Sequence, residues 1–181
     1  MIHHRGVIMA GALLLSLAAC SRSKGLGEAG GAVQTINLAS PGGASIGSAS
    51  LSESANGLMM MVEVSGMYQG SHGIHLHETG RCDGPKFASA GAHWNPDARK
   101  HGRDNPAGAH LGDLPNLDVS ATGAATATFS MPGALRASGT PMLADADGTA
   151  LVIHAKADDY RTDPSGASGD RIACAVLAPP K

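Results

Sequence analysis

The sequence predicts an all-β domain, a sandwich or barrel of short strands. Three observations predict it. Glycine contributes 25 and proline 10 of the 181 residues, a turn-rich composition that leaves little room for long helices. Eight short runs show strand-like alternation, at 33–39, 45–53, 58–65, 73–78, 117–122, 124–131, 150–155 and 171–177. Turn chemistry separates several of them, in Pro41-Gly42-Gly43, Ala55-Asn56-Gly57, Pro132-Gly133 and Asp147-Gly148.

The first three runs follow one another closely, as in consecutive hairpins. Hydrophobic residues make up 43% of the chain but aromatics only 3%, so Val, Ile, Leu, Ala and Met must build the core. Two long stretches break the strand pattern, at 79–116 and 156–170. Structureless segments of that length in a compact domain usually carry function. The formal net charge of −2, with no basic run, argues against a nucleic-acid partner.

The N-terminus is set apart. Arg5 precedes thirteen uncharged residues, 7–19, the length of a signal-peptide core and short for a bilayer span. The run ends in Leu17-Ala18-Ala19-Cys20, which resembles the lipobox of bacterial lipoprotein signals. Residues 1–19 then read as a signal peptide, Cys20 as a lipidated residue, 20–32 as a Gly/Ser-rich tether and 33–181 as the domain. Each buried methylene of a lipid contributes about 0.8 kcal/mol, so several chains anchor a protein firmly to an envelope membrane, here facing the periplasm. His3 and His4 fall in the discarded segment. Setting Cys20 aside leaves Cys82 and Cys174, and in an oxidising compartment one disulfide between them is expected.

Most histidines of the domain fall in or beside the interrupted part of the pattern. His75 and His77 are two apart on a predicted strand, so they share one face with Cα atoms about 6.5 Å apart. The first long stretch adds His93, His101, His110 and Asp113, three imidazoles and a carboxylate, the donor types of a four-coordinate zinc site. His154 ends the apolar run Leu151-Val152-Ile153. His72 is expected to be exposed and outside any site, and Trp94 to pack the loop. Met59-Met60-Met61 reads as core filling rather than a soft copper site, because only alternate strand residues share a face. Asp145-Ala146-Asp147-Gly148 lacks the later ligands of a calcium loop and reads as a turn.

Six motifs in order resemble copper-zinc superoxide dismutase: Gly73-Ile74-His75-Leu76-His77-Glu78, Gly91-Ala92-His93-Trp94-Asn95-Pro96, Lys100-His101-Gly102, His110-Leu111-Gly112-Asp113, Val152-Ile153-His154-Ala155-Lys156-Ala157-Asp158-Asp159 and Arg171-Ile172-Ala173-Cys174. The resemblance spans 33–177. It implies an eight-stranded Greek-key β-sandwich or flattened barrel with two long functional loops. It implies copper on His75, His77, His93 and His154, and zinc on His93, His101, His110 and Asp113, with His93 bridging the two ions. Asp158 matches a carboxylate linking His75 to His101, and Arg171 matches the arginine beside the copper. Cys82 and Cys174 match the family disulfide.

The implied reaction is dismutation of superoxide to dioxygen and hydrogen peroxide, with Arg171 orienting the anion and His93 carrying a proton. The alternative on the same fold is a non-catalytic copper carrier of the envelope. The second loop departs from some cytosolic members in lacking clustered lysines and glutamates, which leaves Lys86 and Lys100 as candidate steering cations. Both a monomer and a homodimer are compatible with the sequence.

Overall fold

The computed structural model describes residues 33–54, 57–131 and 142–181, together with Met1. Apart from Met1, the predicted signal peptide, Cys20 and the tether lie outside the described residues. Among the described residues nine strands form: β1 Gln34–Ala39, β2 Ser45–Ser54, β3 Gly57–Val64, β4 Gly70–His72, β5 Ile74–His77, β6 Leu117–Val119, β7 Ala125–Met131, β8 Thr149–His154 and β9 Arg171–Ala178. All eight predicted runs become strands, and β4 is added. It pairs with β6, whereas β5 pairs with β8. The strands meet at Gly73, where a Cβ would lie 2.9 Å from Ser168 Cβ and 3.3 Å from His75 Cε1. The backbone can change partners there because nothing projects from it.

Strand order in the main sheet is β5-β8-β9-β1-β2-β3-β7, all antiparallel. The hairpins β1-β2-β3 are followed by a long path before β9 returns beside β1, the order of a Greek key. The β1–β9 register is a single pair, Ala39 with Cys174, so the sheet curls sharply there and encloses a core.

β3 alternates as a half-buried strand should. Leu58, Met60, Val62 and Val64 face the core, whereas Met59 and Met61 are 44% and 39% exposed. Core filling therefore holds for Met60 but not for its two neighbours. β5 and β8 are buried on both faces. Ile74, Leu76, Leu151 and Ile153 enter the barrel core. Outside, Val152 and Ala150 pack with Phe87, Ala90 and the Cys82–Cys174 disulfide in a smaller cluster under the first long loop. Trp94 is buried in the main core, as expected of a loop-packing residue.

Candidate metal centre

The outer face of β5 presents His75 and His77. Its free edge is occupied by the first long loop. Trp94 N–H donates to the Leu76 carbonyl at 2.8 Å, and Leu76 N–H donates to the Gly112 carbonyl at 2.9 Å. This pairing sets His93 opposite His77 and Asp113 opposite His75. Gly112 is required there, since a Cβ would lie 2.6 Å from the Leu76 carbonyl oxygen. His154 arrives at the end of β8, where Gly73 accepts its backbone N–H at 2.8 Å.

Four side chains therefore converge: His75, His77, His93 and His154. Each ring has one nitrogen engaged. His77 Nδ1–H donates to the Gly91 carbonyl at 3.0 Å, His154 Nδ1–H to the Gly169 carbonyl at 3.2 Å, and His75 Nε2–H to Asp158 Oδ2 at 2.7 Å. His93 Nδ1 lies 3.0 Å from Asp113 Oδ1. The remaining nitrogens, His75 Nδ1, His77 Nε2, His93 Nε2 and His154 Nε2, are buried without a hydrogen-bond partner. Buried polar atoms left unpaired are costly, and four sharing one space point to a common cation.

A second group forms on the other side of His93. Asp113 Oδ1 lies 3.0 Å from His93 Nδ1, 3.0 Å from His101 Nδ1 and 3.2 Å from His110 Nδ1, and His110 Nδ1 lies 3.4 Å from His93 Nδ1. A tetrahedron with ligands about 2.0 Å from its centre has edges of about 3.3 Å, so these separations fit one zinc ion. His75 also lies near this group, but its Nε2 is taken by Asp158 and its Nδ1 belongs to the first. Asp158 joins the two groups, with Oδ2 on His75 and Oδ1 on His101 Nε2 at 3.0 Å.

Charge follows burial and pairing. Burial, then the neighbouring His93 and Arg171, holds His77 well below the ordinary histidine range. Burial brings His93 down to about 4 against the pull of Asp113, and burial with His75 brings His154 to about 3. These rings stay neutral, as metal ligands must. Burial alone would lower His101 too, but hydrogen bonds to Asp113 and Asp158 on its two nitrogens raise it to about 9. Burial would raise both carboxyls, yet the hydrogen bonds they accept hold them below the usual range.

Residues 45–177 match the family described as copper/zinc superoxide dismutase. The chain belongs to that family. It is 42% identical to the copper-zinc superoxide dismutase of Caulobacter vibrioides over 138 residues, 75% of this chain and 79% of that protein. It is 37% identical to copper-zinc superoxide dismutase 2 of Aquifex aeolicus over 172 residues, 94% of this chain and 96% of that one. Among solved structures, a SOD-like protein from Bacillus subtilis aligns with TM-score 0.77 at 39% identity, over 81% of this chain and 99% of that chain. The Cu/Zn superoxide dismutase of Brucella abortus aligns with TM-score 0.63 at 29% identity, over 81% and 99%. The family's metals suit the two donor sets: neutral imidazoles for copper, and three imidazoles with a carboxylate for zinc.

Arg171 is half-buried and held by two carbonyls, with Nη1 donating to Phe87 at 2.7 Å and Nη2 to Gly91 at 2.6 Å. A pocket of about 550 Å³ opens beside it, lined by Pro41, Pro85, Lys86, Gly169 and Asp170. Of the two candidate steering cations, Lys86 lines this pocket. Lys100 is paired with Asp163 at 3.0 Å instead.

His72 is a correction. It is 4% exposed, with Nδ1 2.8 Å from the His154 carbonyl and Nε2 3.0 Å from the Tyr68 carbonyl. The available signal was sequence parity, since His72 stands two residues before the apolar Ile74 and four before Leu76. Asn116 and Tyr160 join the site without any signal in the sequence, since neither residue type announces a metal site. Asn116 pairs through its side-chain amide with the backbone of Asp158 in both directions, at 2.9 and 3.0 Å.

Proposed function

We propose that this chain converts two superoxide radicals and two protons to dioxygen and hydrogen peroxide, with His75, His77, His93 and His154 holding copper and His93, His101, His110 and Asp113 holding zinc. The four unpartnered imidazole nitrogens carry the reading, because structural stability alone gives no reason to leave them unpaired. Copper, when bound, supplies one-electron redox chemistry. Arg171, fixed by Phe87 and Gly91 beside an open pocket, binds and orients the small anion. His93 faces the copper group with Nε2 and the zinc group with Nδ1, so it can hold a proton at Nε2 while Nδ1 stays engaged. Asp158 fixes the rings of His75 and His101.

Purified residues 21–181 loaded with copper and zinc should remove superoxide rapidly, and His154→Ala should abolish this activity. Full metal occupancy without activity would leave the copper-carrier alternative in its place.

The second part of the proposal is location. Residues 1–19 direct export, Cys20 carries lipid and 20–32 tethers the domain of 33–181 to the envelope. The lipobox-like Leu17-Ala18-Ala19-Cys20 and the disulfide support this reading. Among the described residues no helix is long and apolar enough to cross a membrane. Growth with an alkyne-tagged fatty acid should label the full-length protein and leave Cys20→Ser unlabelled. Labelling that persists in the variant would refute the anchor.

A further inference from the structure

We propose that Tyr160 is a positioning residue, a clamp between the two long loops that holds the Asp158 carboxylate in place between His75 and His101. The inference rests on the metal assignment above.

Tyr160 uses every part of itself to join the loops. Its backbone N–H donates to Asp158 Oδ1 at 2.7 Å, the oxygen that also accepts His101 Nε2–H. Its carbonyl accepts Asp104 N–H at 3.1 Å. Its phenol oxygen accepts Asn116 N–H at 2.8 Å. The Arg103 guanidinium lies 3.8 Å from the ring centroid, in cation–π contact. One side chain thus grips the first loop at 103 and again at 116, where Asn116 is paired with the Asp158 backbone.

Two backbone features agree. Gly102 lies so close that a Cβ there would be 2.1 Å from the Tyr160 carbonyl oxygen. Tyr160 itself has φ +60°, a left-handed conformation uncommon for a bulky residue. Such a conformation persists where surrounding contacts over-determine it. The contacts here point toward His101, one of the four zinc-side donors, and toward the carboxylate that orients it.

Three variants of the copper- and zinc-loaded protein separate positioning from stability. Tyr160→Asn removes the ring and phenol but tolerates the left-handed backbone. Tyr160→Phe removes only the bond to Asn116. Val62→Ala, in the barrel core on β3, serves as a destabilised control. Zinc release is followed with a chromogenic chelator, beside the melting temperature. Tyr160→Asn should release zinc roughly tenfold to a hundredfold faster, the usual cost of losing a residue that orients a metal ligand. Tyr160→Phe should fall between it and the unsubstituted protein, and Val62→Ala should retain zinc normally. Zinc retention by Tyr160→Asn at the unsubstituted rate would overturn this inference alone. Equally fast release by Val62→Ala at matched melting temperature would also overturn it. Failure of the unsubstituted protein to take up zinc would overturn the metal assignment as well.

Discussion

His77 and Arg171 donate to the same oxygen. The Gly91 carbonyl accepts His77 Nδ1–H at 3.0 Å and Arg171 Nη2–H at 2.6 Å. One peptide group therefore fixes a candidate copper ligand and the cation beside it. Gly91 adopts φ +76°, and a Cβ there would lie 2.8 Å from Glu78 Cγ, so the loop turns tightly against the end of β5.

This shared anchor predicts how Arg171 variants behave. Arg171→Gln should lower the rate of superoxide removal at low ionic strength by about tenfold or more, because a fixed cation that concentrates an anion is lost. Metal content should not change, since His77 keeps its carbonyl partner. Arg171→Lys should restore only part of the rate, as an ammonium cannot present a planar fork to two carbonyls at once. Pulse-radiolysis rates across a salt series, with metal analysis of the same samples, check this.

His101 predicts a proton released on zinc binding. In the metal-free protein it is raised to about 9. Below pH 6.5 folded and unfolded chains both carry that proton, and its stabilisation is fully present. As pH rises through about 9 the stabilisation is lost. Zinc must displace the proton, so its affinity for the metal-free protein should climb between pH 7 and 9. His93 and His154, lowered to about 4 and 3, have the opposite sign. Through these two groups the metal-free fold should lose stability as pH falls from 6.5 toward 4. Calorimetric zinc titrations in buffers of different ionisation enthalpy test the first point. A flat affinity between pH 7 and 9 would contradict it.

Gly166 predicts a narrow tolerance near Asp158. A Cβ there would lie 1.8 Å from Asp158 Oδ1 and 2.7 Å from His101 Nε2, and φ is +61°. Gly166→Ala should displace the carboxylate and weaken zinc binding by roughly tenfold or more. Competition with a chelator of known affinity measures it. Unchanged zinc affinity would mean that the loop moves aside without disturbing Asp158.

The disulfide predicts a large stability loss on reduction. Cys82 and Cys174 are 92 residues apart in sequence, and chain-entropy reasoning assigns about 4–5 kcal/mol to closing such a loop. The bond also ties the loop carrying Phe87 and Gly91 to β9, which carries Arg171. Cys82→Ser with Cys174→Ser should therefore lower the melting temperature sharply, and activity should fall before global unfolding. Parallel thermal scans by activity and by circular dichroism would separate the two effects.

The amino-acid sequence reveals eight of the nine described strands, the two long loops and the imidazole and carboxylate donors proposed to hold the metals. It could do so because strand periodicity is a local property and because imidazole and carboxylate donors announce themselves by residue type. Tertiary structure alone decided which ring nitrogens face each other, since that depends on the pairing of residues 93–94 and 112–113 along β5. It also decided the break at Gly73, the burial of His72 and the exposure of Met59 and Met61. The grip of Tyr160 and Asn116 on Asp158 is of the same kind. Those contacts are made by backbone groups and ordinary side chains, which take on a role only when distant segments are brought together.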